Sequence, residues 1–307
     1  MTKYSLIFLI LVSVVAAALF LAAGEARAAS TILADGPSCT TLGGTWDSGT
    51  LTCKLTGTLT LGPSDTLNIV SGVTLINVGT ITSSGAITND GTIKNFNSGT
   101  ITTSGSLTNT GMISNSGTVT NDPTGTIDNS GTILNTITGI ITSSGNVDNS
   151  GTIENCGLIT LSGFAVVNSG TINNYATGTI TDSIGITNTH TVTNQGVFTE
   201  SGTVTNSGGE FMNFAGTFTN TGTFNTGVFF DCGGIVTGIA PGIVSEDCQV
   251  PAPNTHCSIF VVPESPIGLV ALMGSSLAAL GVFMFWKRRS SSNSGKGPMT
   301  GLGIYDS

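Results

Sequence analysis

The sequence is poor in charge, and above all in positive charge. Only 8% of its 307 residues are charged, and the net charge is −9. Between Ala29 and Trp286 the basic side chains are Lys54 and Lys94, and arginine is absent there. Because nucleic-acid binding requires a basic surface, we expect no nucleic-acid partner. The same scarcity argues against a lyase of acidic sugars, which needs a basic residue beside the substrate carboxylate.

Recognisable motifs for metal or nucleophilic chemistry are also missing. The six cysteines show no Cys-x-x-Cys spacing, which a zinc site would favour. Neither a Ser-His-Asp order nor a glycine-rich phosphate loop stands out. The sequence therefore predicts no cofactor, no metal site and no catalytic residues.

What the sequence does contain is a short repeat, between Gly79 and about Phe230. The phrase Gly-Thr-Ile-x-Asn recurs at 91–95, 125–129, 151–155 and 171–175. Glycines open the units at intervals of six, with occasional eights: 79, 85, 91, 99, 105, 111, 117, 125, 131, 139, 145, 151 and 157. A fixed short period over this length indicates a repeat architecture.

Each unit predicts a four-residue strand followed by a corner. In Gly99-Thr100-Ile101-Thr102-Thr103-Ser104 the isoleucine faces one side and Thr100 and Thr102 the other. Glycine, which accepts positive φ, supplies the corner together with Asn and Ser. Such a strand buries its isoleucine only if coils stack. We predict an all-β parallel β-helix of about seven or eight coils over 79–230. A meander of antiparallel hairpins is the alternative, but its single thin sheet would leave the isoleucines uncovered.

Asparagine and phenylalanine mark two further inward positions. The asparagines lie two residues after the isoleucines and should stack so that each amide bonds to the next: Asn89, Asn95, Asn109, Asn115, Asn129, Asn149 and Asn155. Towards the C-terminal end the inward residue becomes phenylalanine, which predicts a wider core: Phe198, Phe211, Phe218, Phe224 and Phe229.

Cysteines flank the repeats on both sides. Residues 29–78 form a predicted N-terminal cap with first strands, in which Cys39 and Cys53 would be joined across a hairpin. Residues 231–262 form a predicted C-terminal cap and linker, with Cys232 and Cys248 as the matching pair. Two further cysteines leave alternatives open: the one at the 156 corner could stay free, and the one at 257 could compete for Cys248.

The two chain ends predict export and anchoring. Residues 1–28 read as a signal peptide, with cleavage between Ala28 and Ala29. An uncharged stretch from Ile267 to Trp286 is long enough to span a bilayer. The basic cluster that follows would keep a cytoplasmic tail, residues 290–307, on the inner side. We therefore expect an exported ectodomain at the cell surface, held by a single membrane span.

Residues 263–289 resemble the tripartite C-terminal sorting signals of the PEP-CTERM and archaeal PEF-CTERM type. The matching residues are Pro263 and Glu264, the apolar helix, and the cluster Lys287, Arg288 and Arg289. The resemblance implies recognition by an exosortase or archaeosortase that cuts near the Pro-Glu motif. Ser265 and the tail depart from the pattern, and a plain membrane anchor is the alternative.

The repeats themselves look like those of secreted β-helical surface proteins of ammonia-oxidising and related archaea. The resemblance rests on the Gly-Thr-Ile-x-Asn-Ser units and on the cysteine-flanked Gly43-Gly44-Thr45-Trp46. More distantly, the units are similar to the repeats of bacterial filamentous adhesins. These resemblances imply an adhesive or envelope role, with cell-envelope polysaccharide or other surface proteins as partners.

Parallel β-helices include polysaccharide-active enzymes, so the repeat acids need an interpretation. They are Asp90, Asp122, Asp128, Asp148, Glu154, Asp182, Glu200 and Glu210. Asp128 and Asp148 hold the same place in their units and should lie one coil apart on the outer face. They could form an acid pair or a calcium ligand set, but a solvated strand face is the ordinary explanation.

Threonine pairs suggest a third role. Thr-x-Thr occurs at 80/82, 100/102, 118/120, 179/181, 191/193, 203/205 and 217/219. In a β-helix these side chains point outward in rows, and such arrays resemble the ice-binding faces of some β-solenoid antifreeze proteins. The ordinary explanation is that threonine suits an exposed strand.

Taken together, the sequence predicts a non-catalytic cell-surface β-helix with an envelope-structural or adhesive role. A polysaccharide-active enzyme and an ice-binding solenoid are the alternatives.

Overall fold

The computed structural model describes residues 26–27, 30–164, 166–225, 228–238 and 244–245. All of them belong to the first of two compact units, Met1–Ile259, and the second unit is Phe260–Ser307. Within the described residues the chain winds into a parallel β-helix of about nine turns with three sheets.

Each turn contributes one strand to sheet A, one to sheet B and one to sheet C, in that order. Sheet A contains β1 (Ala26–Arg27), β5 (Thr58–Leu61), β8 (Thr80–Ser83), β11 (Thr100–Thr103), β14 (Thr118–Asn121), β17 (Ile140–Ser143), β20 (Leu158–Leu161), β23 (Thr179–Asp182), β26 (Val197–Glu200), β29 (Thr217–Asn220) and β32 (Ile235–Gly238). Sheet B contains β2 (Ser30–Leu33), β6 (Thr66–Ile69), β9 (Ala86–Asn89), β12 (Ser106–Asn109), β15 (Thr126–Asn129), β18 (Asn146–Asn149), β21 (Val166–Asn168), β24 (Ile186–Asn188), β27 (Thr203–Asn206) and β30 (Thr223–Asn225). Sheet C contains β3 (Thr45–Asp47), β4 (Thr52–Leu55), β7 (Thr74–Asn77), β10 (Thr92–Asn95), β13 (Met112–Asn115), β16 (Thr132–Asn135), β19 (Thr152–Asn155), β22 (Thr171–Asn174), β25 (Thr191–Asn194), β28 (Glu210–Phe214), β31 (Val228–Cys232) and β33 (Val244–Ser245).

The parallel β-helix predicted from the repeats is confirmed. Strands of successive turns pair in parallel and in register, so that Ile81 lies over Leu59 and Ile101 over Ile81. The antiparallel meander is thereby excluded for the repeats. The prediction of seven or eight coils is slightly low, because β5 to β7 already form a complete turn in the segment that we assigned to the cap.

The second and fourth residues of the strands face inward. In β8, for example, Ile81 and Ser83 are buried while Thr80 and Thr82 are not. The second position supplies the apolar column, and the fourth supplies a polar residue at each corner. The predicted orientation of isoleucine inward and threonine outward is therefore confirmed.

The corner asparagines form two continuous hydrogen-bonded columns, one at the end of sheet B and one at the end of sheet C. On sheet B, Asn89 Nδ2 donates to Asn109 Oδ1 at 2.7 Å, and Asn109 Nδ2 donates to Asn129 Oδ1 at 2.7 Å. Each amide also bonds to a backbone carbonyl of the next turn, as Asn109 does to Thr132 O at 3.1 Å. These bonds satisfy polar groups that would otherwise be buried without partners. The predicted asparagine stacking is confirmed.

Glycine is required at the corners for a reason other than the one we predicted. Positive φ among the described glycines occurs outside the regular Gly-Thr-Ile corners, at Gly72 and Gly208 for example. A Cβ added at Gly111 would instead clash with the carbonyl oxygen of Gly91 in the turn below. The corners therefore select glycine for the close approach of stacked backbones.

The N-terminal cap is a helix and a hairpin joined by the predicted disulfide. Helix α1 (Gly36–Thr41) begins at Asp35, whose side chain accepts a hydrogen bond from Ser38 N. Strands β3 and β4 form the antiparallel hairpin. The Cys39–Cys53 bond is present as predicted, but it joins the helix to the hairpin and does not lie across the hairpin. Its Cα atoms are 5.5 Å apart, and both residues are buried. Helix α1 was not predicted from the sequence, because it is only 6 residues long.

Cys156 and Cys232 are also disulfide-bonded. The sequence analysis left open that Cys156 stays free, and this alternative is wrong.

At the opposite end, phenylalanine replaces isoleucine in the core as predicted. Phe198, Phe211 and Phe218 are buried, and the ring centroids of Phe211 and Phe218 are 5.0 Å apart. Phe229 stacks on Phe211 at 5.5 Å. The wider rings thus fill the interior of the last turns.

Several predictions concern residues outside the described part of the chain. These are most of the signal peptide (1–28) with its cleavage site, Cys248 and Cys257, the sorting motif, the span over 267–286 and the tail over 290–307. Among the described residues, no helix is long and apolar enough to cross a membrane. Strand β1 pairs with Leu59 and Thr60, so cleavage after Ala28 would remove β1 and leave β5 as an edge strand.

We predict that Asn115→Ala destabilises the β-helix by roughly 2–4 kcal/mol, because it leaves buried partners unsatisfied. Asn115 Nδ2 donates to Asn135 Oδ1 at 2.9 Å and to Ile140 O at 3.0 Å. Asn115 Oδ1 accepts from Asn95 Nδ2 at 2.8 Å. Urea unfolding measures the change. Ser114→Ala, on the outer face of the same strand, is the control and should change stability by less than about 0.5 kcal/mol. Equal effects of the two substitutions would contradict the role of the column.

Candidate functional site: the threonine face of sheet A

One outward column of sheet A consists of threonine from β5 to β32, and its first member, Thr60, pairs with Arg27 of β1. It is formed by the third residue of each strand from β5 to β32, and consecutive members are in register. Its members are Thr60, Thr82, Thr102, Thr120, Thr142, Thr160, Thr181, Thr199, Thr219 and Thr237. We call the outer surface of sheet A the threonine face.

The first residue of each strand forms a second column beside it. Over the first four complete turns this column is also threonine: Thr58, Thr80, Thr100 and Thr118. Further along the stack the column contains threonine only at 179 and 217, and its other members are exposed apolar residues: Ile140, Leu158, Val197 and Ile235. The threonine face therefore presents two columns of threonine hydroxyls in its N-terminal half. In its C-terminal half it presents one threonine column beside a mainly apolar column.

The Thr-x-Thr pairs found in the sequence do not all lie on the same sheet. The pairs at 80/82, 100/102, 118/120, 179/181 and 217/219 all lie on sheet A. The pair at 191/193 lies on sheet C and the pair at 203/205 on sheet B. The single threonines at 142, 160, 199 and 237 were missed, because their membership of one column depends on strand register.

The threonine face carries no charge on its described strands from β5 to β32. The outward lysines, Lys54 and Lys94, are on sheet C, as is Glu154. Asp128 and Asp148 are on sheet B. A ligand that approaches sheet A therefore meets hydroxyl and methyl groups without having to neutralise a charge.

The spacing of the groups follows from β-sheet geometry. Neighbouring hydroxyls repeat about every 4.8 Å along the stack, and the two columns are about 7 Å apart. At the C-terminal end, the hydroxyls of Thr219 and Thr237 hydrogen-bond to each other at 2.9 Å. β-branched threonine loses little side-chain freedom in a strand, so the array is largely ordered before any ligand arrives. Such an array suits a partner that repeats regularly.

Asp128 and Asp148 lie where the sequence predicted, in register on adjacent strands of the outer face of sheet B. Their column continues with Thr108 on one side and Val167 on the other. A chain separation of about 4.8 Å resembles that of a carboxylate pair in a retaining glycosidase. However, no group of three or more His, Cys, Asp or Glu residues that could hold a metal occurs in the described part of the chain.

The interior of the β-helix contains a narrow cavity of about 50 Å³. Its lining is entirely apolar and consists of core residues such as Leu107, Ile113 and Ile127. An apolar cavity of this kind stays dry and offers no polar group that could orient a substrate. We therefore assign it to imperfect packing of the isoleucine column.

Asp182 and Glu200 differ from the other repeat acids because they are buried. Each holds the fourth, inward position of its strand, and the two are in register on adjacent turns. Asp182 Oδ1 accepts from Ile184 N at 2.9 Å, and Glu200 Oε1 accepts from Gly202 N at 2.7 Å. Asp182 Oδ2 and Glu200 Oε2 have no hydrogen-bond partner among the described residues. These two acids therefore do not lie on the outer face, unlike Asp128 and Asp148.

Burial and proximity change the acidity of this pair. Burial, and then the Asp182 carboxyl beside it, raise the pKa of Glu200 to about 8. Burial also raises the pKa of Asp182. Two adjacent carboxylates cannot both ionise cheaply in an apolar interior. A proton retained by Glu200 would supply the hydrogen-bond donor that the second oxygens lack. The pair was recognisable in the sequence, since both acids stand where the other strands of sheet A place an uncharged residue such as Ser83, Asn121 or Leu161.

We predict that stability falls as the pH rises from about 5 to 9. The folded pKa of Glu200 lies above its ordinary value of 4.5, so the folded state binds the proton more tightly than the unfolded state. The stabilisation is complete below the ordinary pKa and is lost as the pH rises to about 8. The total change should be on the order of a few kcal/mol.

Urea unfolding across this pH range measures the effect. Glu200→Gln should flatten the dependence, because the amide is neutral at every pH and can donate a hydrogen bond. Glu210→Gln, at an exposed position on sheet C, is the control and should leave the dependence unchanged. A wild-type protein whose stability does not change over this range would contradict the prediction.

Comparisons with known proteins give no further guide to function. No family model, no curated protein and no solved structure matches the chain.

Proposed function

We propose that the protein is a non-catalytic component of the cell surface that binds an ordered, repetitive partner through its threonine face. The partner class is cell-envelope polysaccharide or neighbouring surface proteins. The observation that supports the proposal is the column of threonines in register from Thr60 to Thr237, with no outward charge on the described strands from β5 to β32. Many weak, evenly spaced contacts could sum to useful affinity when both surfaces repeat.

The absence of a concentrated reactive site in the described residues supports a role without catalysis. The acids on the outer face of sheet B have no described basic partner, since the outward lysines are on sheet C. Asp182 and Glu200, the two acids whose pKa values burial raises, lie in the interior where a substrate cannot reach them. A glycoside hydrolase would require an open cleft around its carboxylates.

We predict that charge on the threonine face abolishes binding. The triple variant Thr102→Glu/Thr120→Glu/Thr142→Glu should reduce retention on purified cell envelopes, crystalline cellulose or chitin at least about tenfold, because carboxylates would be desolvated against an uncharged surface. The matched control, Thr88→Glu/Thr108→Glu/Thr187→Glu, alters outward positions of sheet B. Sedimentation with each solid measures retention. Equal losses in both variants, or no retention of the wild type, would overturn the proposal.

Anchoring at the membrane is the second part of the proposal. It rests on the signal peptide, the Pro263-Glu264 motif, the apolar stretch and the Lys287-Arg288-Arg289 cluster of the sequence. Mass spectrometry of the mature C-terminus distinguishes the two mechanisms. Truncation near Glu264 would support processing by an exosortase or archaeosortase. A chain that still ends at Ser307 would support a plain membrane span.

Ice is a second candidate ligand, favoured by the two threonine columns of β5, β8, β11 and β14. We predict that, if ice is bound, purified protein shows thermal hysteresis and Thr102→Tyr abolishes it by breaking the flat array. Thr108→Tyr on sheet B is the control and should retain the activity. A wild-type protein without thermal hysteresis would exclude this candidate while leaving the envelope role open.

A further inference from the structure

Exposed apolar side chains are concentrated on one half of the threonine face. We call the outer surface of β17, β20, β23, β26, β29 and β32 the apolar half of this face. Four of these six strands begin with an apolar residue that is between 38% and 61% exposed: Ile140, Leu158, Val197 and Ile235. A single exposed apolar residue needs no explanation, but a continuous set of them marks an interaction surface.

The two corners beside the apolar half extend the same surface. Ile137 lies on the corner between β16 and β17, on the side of sheet C, and is exposed. On the side of sheet B, Phe164 follows β20 and Ile184 follows β23, and both are exposed. Elsewhere in the described part of the chain, the exposed large hydrophobic residues are Ile32, Leu51 and Val167. The apolar half and its corners therefore hold most of the exposed apolar surface.

The apolar half carries no outward charge. The acids on its strands are Asp182 and Glu200, and both are buried inside the β-helix. The whole chain has a net charge of −9, so two copies repel each other over most of their surfaces. A charge-free face is where two copies can approach. The cores of protein interfaces are likewise depleted in charged residues.

The apolar half is large enough to hold a dimer together. Its six strands span about 24 Å along the stack, and each strand with its adjoining corners is about 20 Å wide. These dimensions give about 500 Å² for each copy and about 1,000 Å² for two copies. This total reaches the roughly 1,000 Å² that a specific interface needs.

The two outward columns determine how two copies fit together. The apolar column and the threonine column lie about 7 Å apart. A twofold axis that is parallel to the stack and midway between the columns places the apolar column of each copy opposite the threonine column of the other. Leu158 then faces Thr160 of the second copy, and Val197 faces Thr199. Large side chains thus meet small ones, so the faces can interdigitate at about 10 Å, the usual distance between packed sheets.

The same axis brings apolar corners together. The corner that carries Ile137 faces the opposite corner of the second copy, where Phe164 lies one turn further along the stack. An axis perpendicular to the stack would instead set threonine against threonine, which leaves a gap in the interface. The parallel arrangement also keeps both C-terminal ends at one end of the dimer. Two chains held in one membrane require this, and this step rests on the proposed anchor.

We propose that the apolar half of the threonine face is a homodimer interface in which two copies pack side by side with their stacks parallel. A second copy is then one of the neighbouring surface proteins that the proposed function assigns to this face. The outward columns of β5 to β14 contain only threonine and add no large apolar side chain to the interface. Packed sheets cross at up to about 30°, so the N-terminal halves diverge and stay open to a polysaccharide.

Sedimentation equilibrium of the full-length protein in density-matched detergent tests the interface. We expect a reversible dimer for the wild type. Leu158→Asp/Val197→Asp should weaken dimerisation at least about tenfold, because the dimer would bury carboxylates that have no partner. The control, Ile32→Asp/Val167→Asp, adds the same charge at exposed apolar positions of sheet B and should leave the dimer intact. A monomeric wild type, or equal losses in both variants, would overturn the proposal.

Photo-cross-linking in membranes tests the arrangement of the two copies. p-Benzoylphenylalanine in place of Thr160 should join two chains into a covalent dimer, and the same probe in place of Thr108 on sheet B should not. The isolated dimer is then cleaved after glutamate. Parallel stacks link the probe to peptide 155–200 of the second chain. Antiparallel stacks link it to peptide 211–246, and that result would contradict the parallel dimer.

The dimer and the binding of the envelope can fail separately. A wild-type protein that is retained on cell envelopes but sediments as a monomer would refute the dimer alone. A wild-type protein that dimerises but is not retained would support the interface and refute binding to the envelope.

Discussion

The structure depends on hydrogen bonding of backbone and side-chain amides along one axis. A parallel β-helix of such narrow cross-section buries one polar side chain at nearly every corner, and each must find a partner inside. Asparagine solves this problem because its amide can donate to the turn above while its carbonyl accepts from the turn below, as at Asn109. The same bond fixes the register between turns, and register in turn places the isoleucines over one another and the threonines in columns.

Sheet A, which carries the candidate site, differs from sheets B and C in the residues at its corners. The corners after sheets B and C are occupied by continuous asparagine columns, whereas the corner after sheet A varies among Ser83, Thr103, Asn121 and Leu161. That corner also contains Asp182 and Glu200. There a proton retained by Glu200 would serve as the hydrogen-bond donor that an asparagine amide provides at the other corners. The outward threonines of sheet A take no part in this internal bonding, because they lie on the other side of the strand.

The fold was largely predictable from the sequence, because the information is local. In a unit such as Gly99-Thr100-Ile101-Thr102, the residue types alone indicate the strand, the inward residue and the corner. The site was predictable only in part, because it depends on register between turns of unequal length. The sequence identified Thr80 and Thr82 as a pair but could not show that Thr142 belongs to the same column. Helix α1 was missed because its 6 residues are too few to show a helical period in the sequence.

Glycine was correctly predicted at the corners, but positive φ is not the reason for it. Positive φ would have allowed asparagine as a substitute at these positions. A Cβ at Gly111 would clash with the carbonyl of Gly91, so asparagine is not allowed there. The obstacle is the backbone of the turn below. The turns are therefore as close as backbone hydrogen bonding allows, and a side chain at the corner would separate them. This close stacking gives the threonine columns their regular spacing, so the geometry of the proposed binding surface follows from the glycines that carry no side chain.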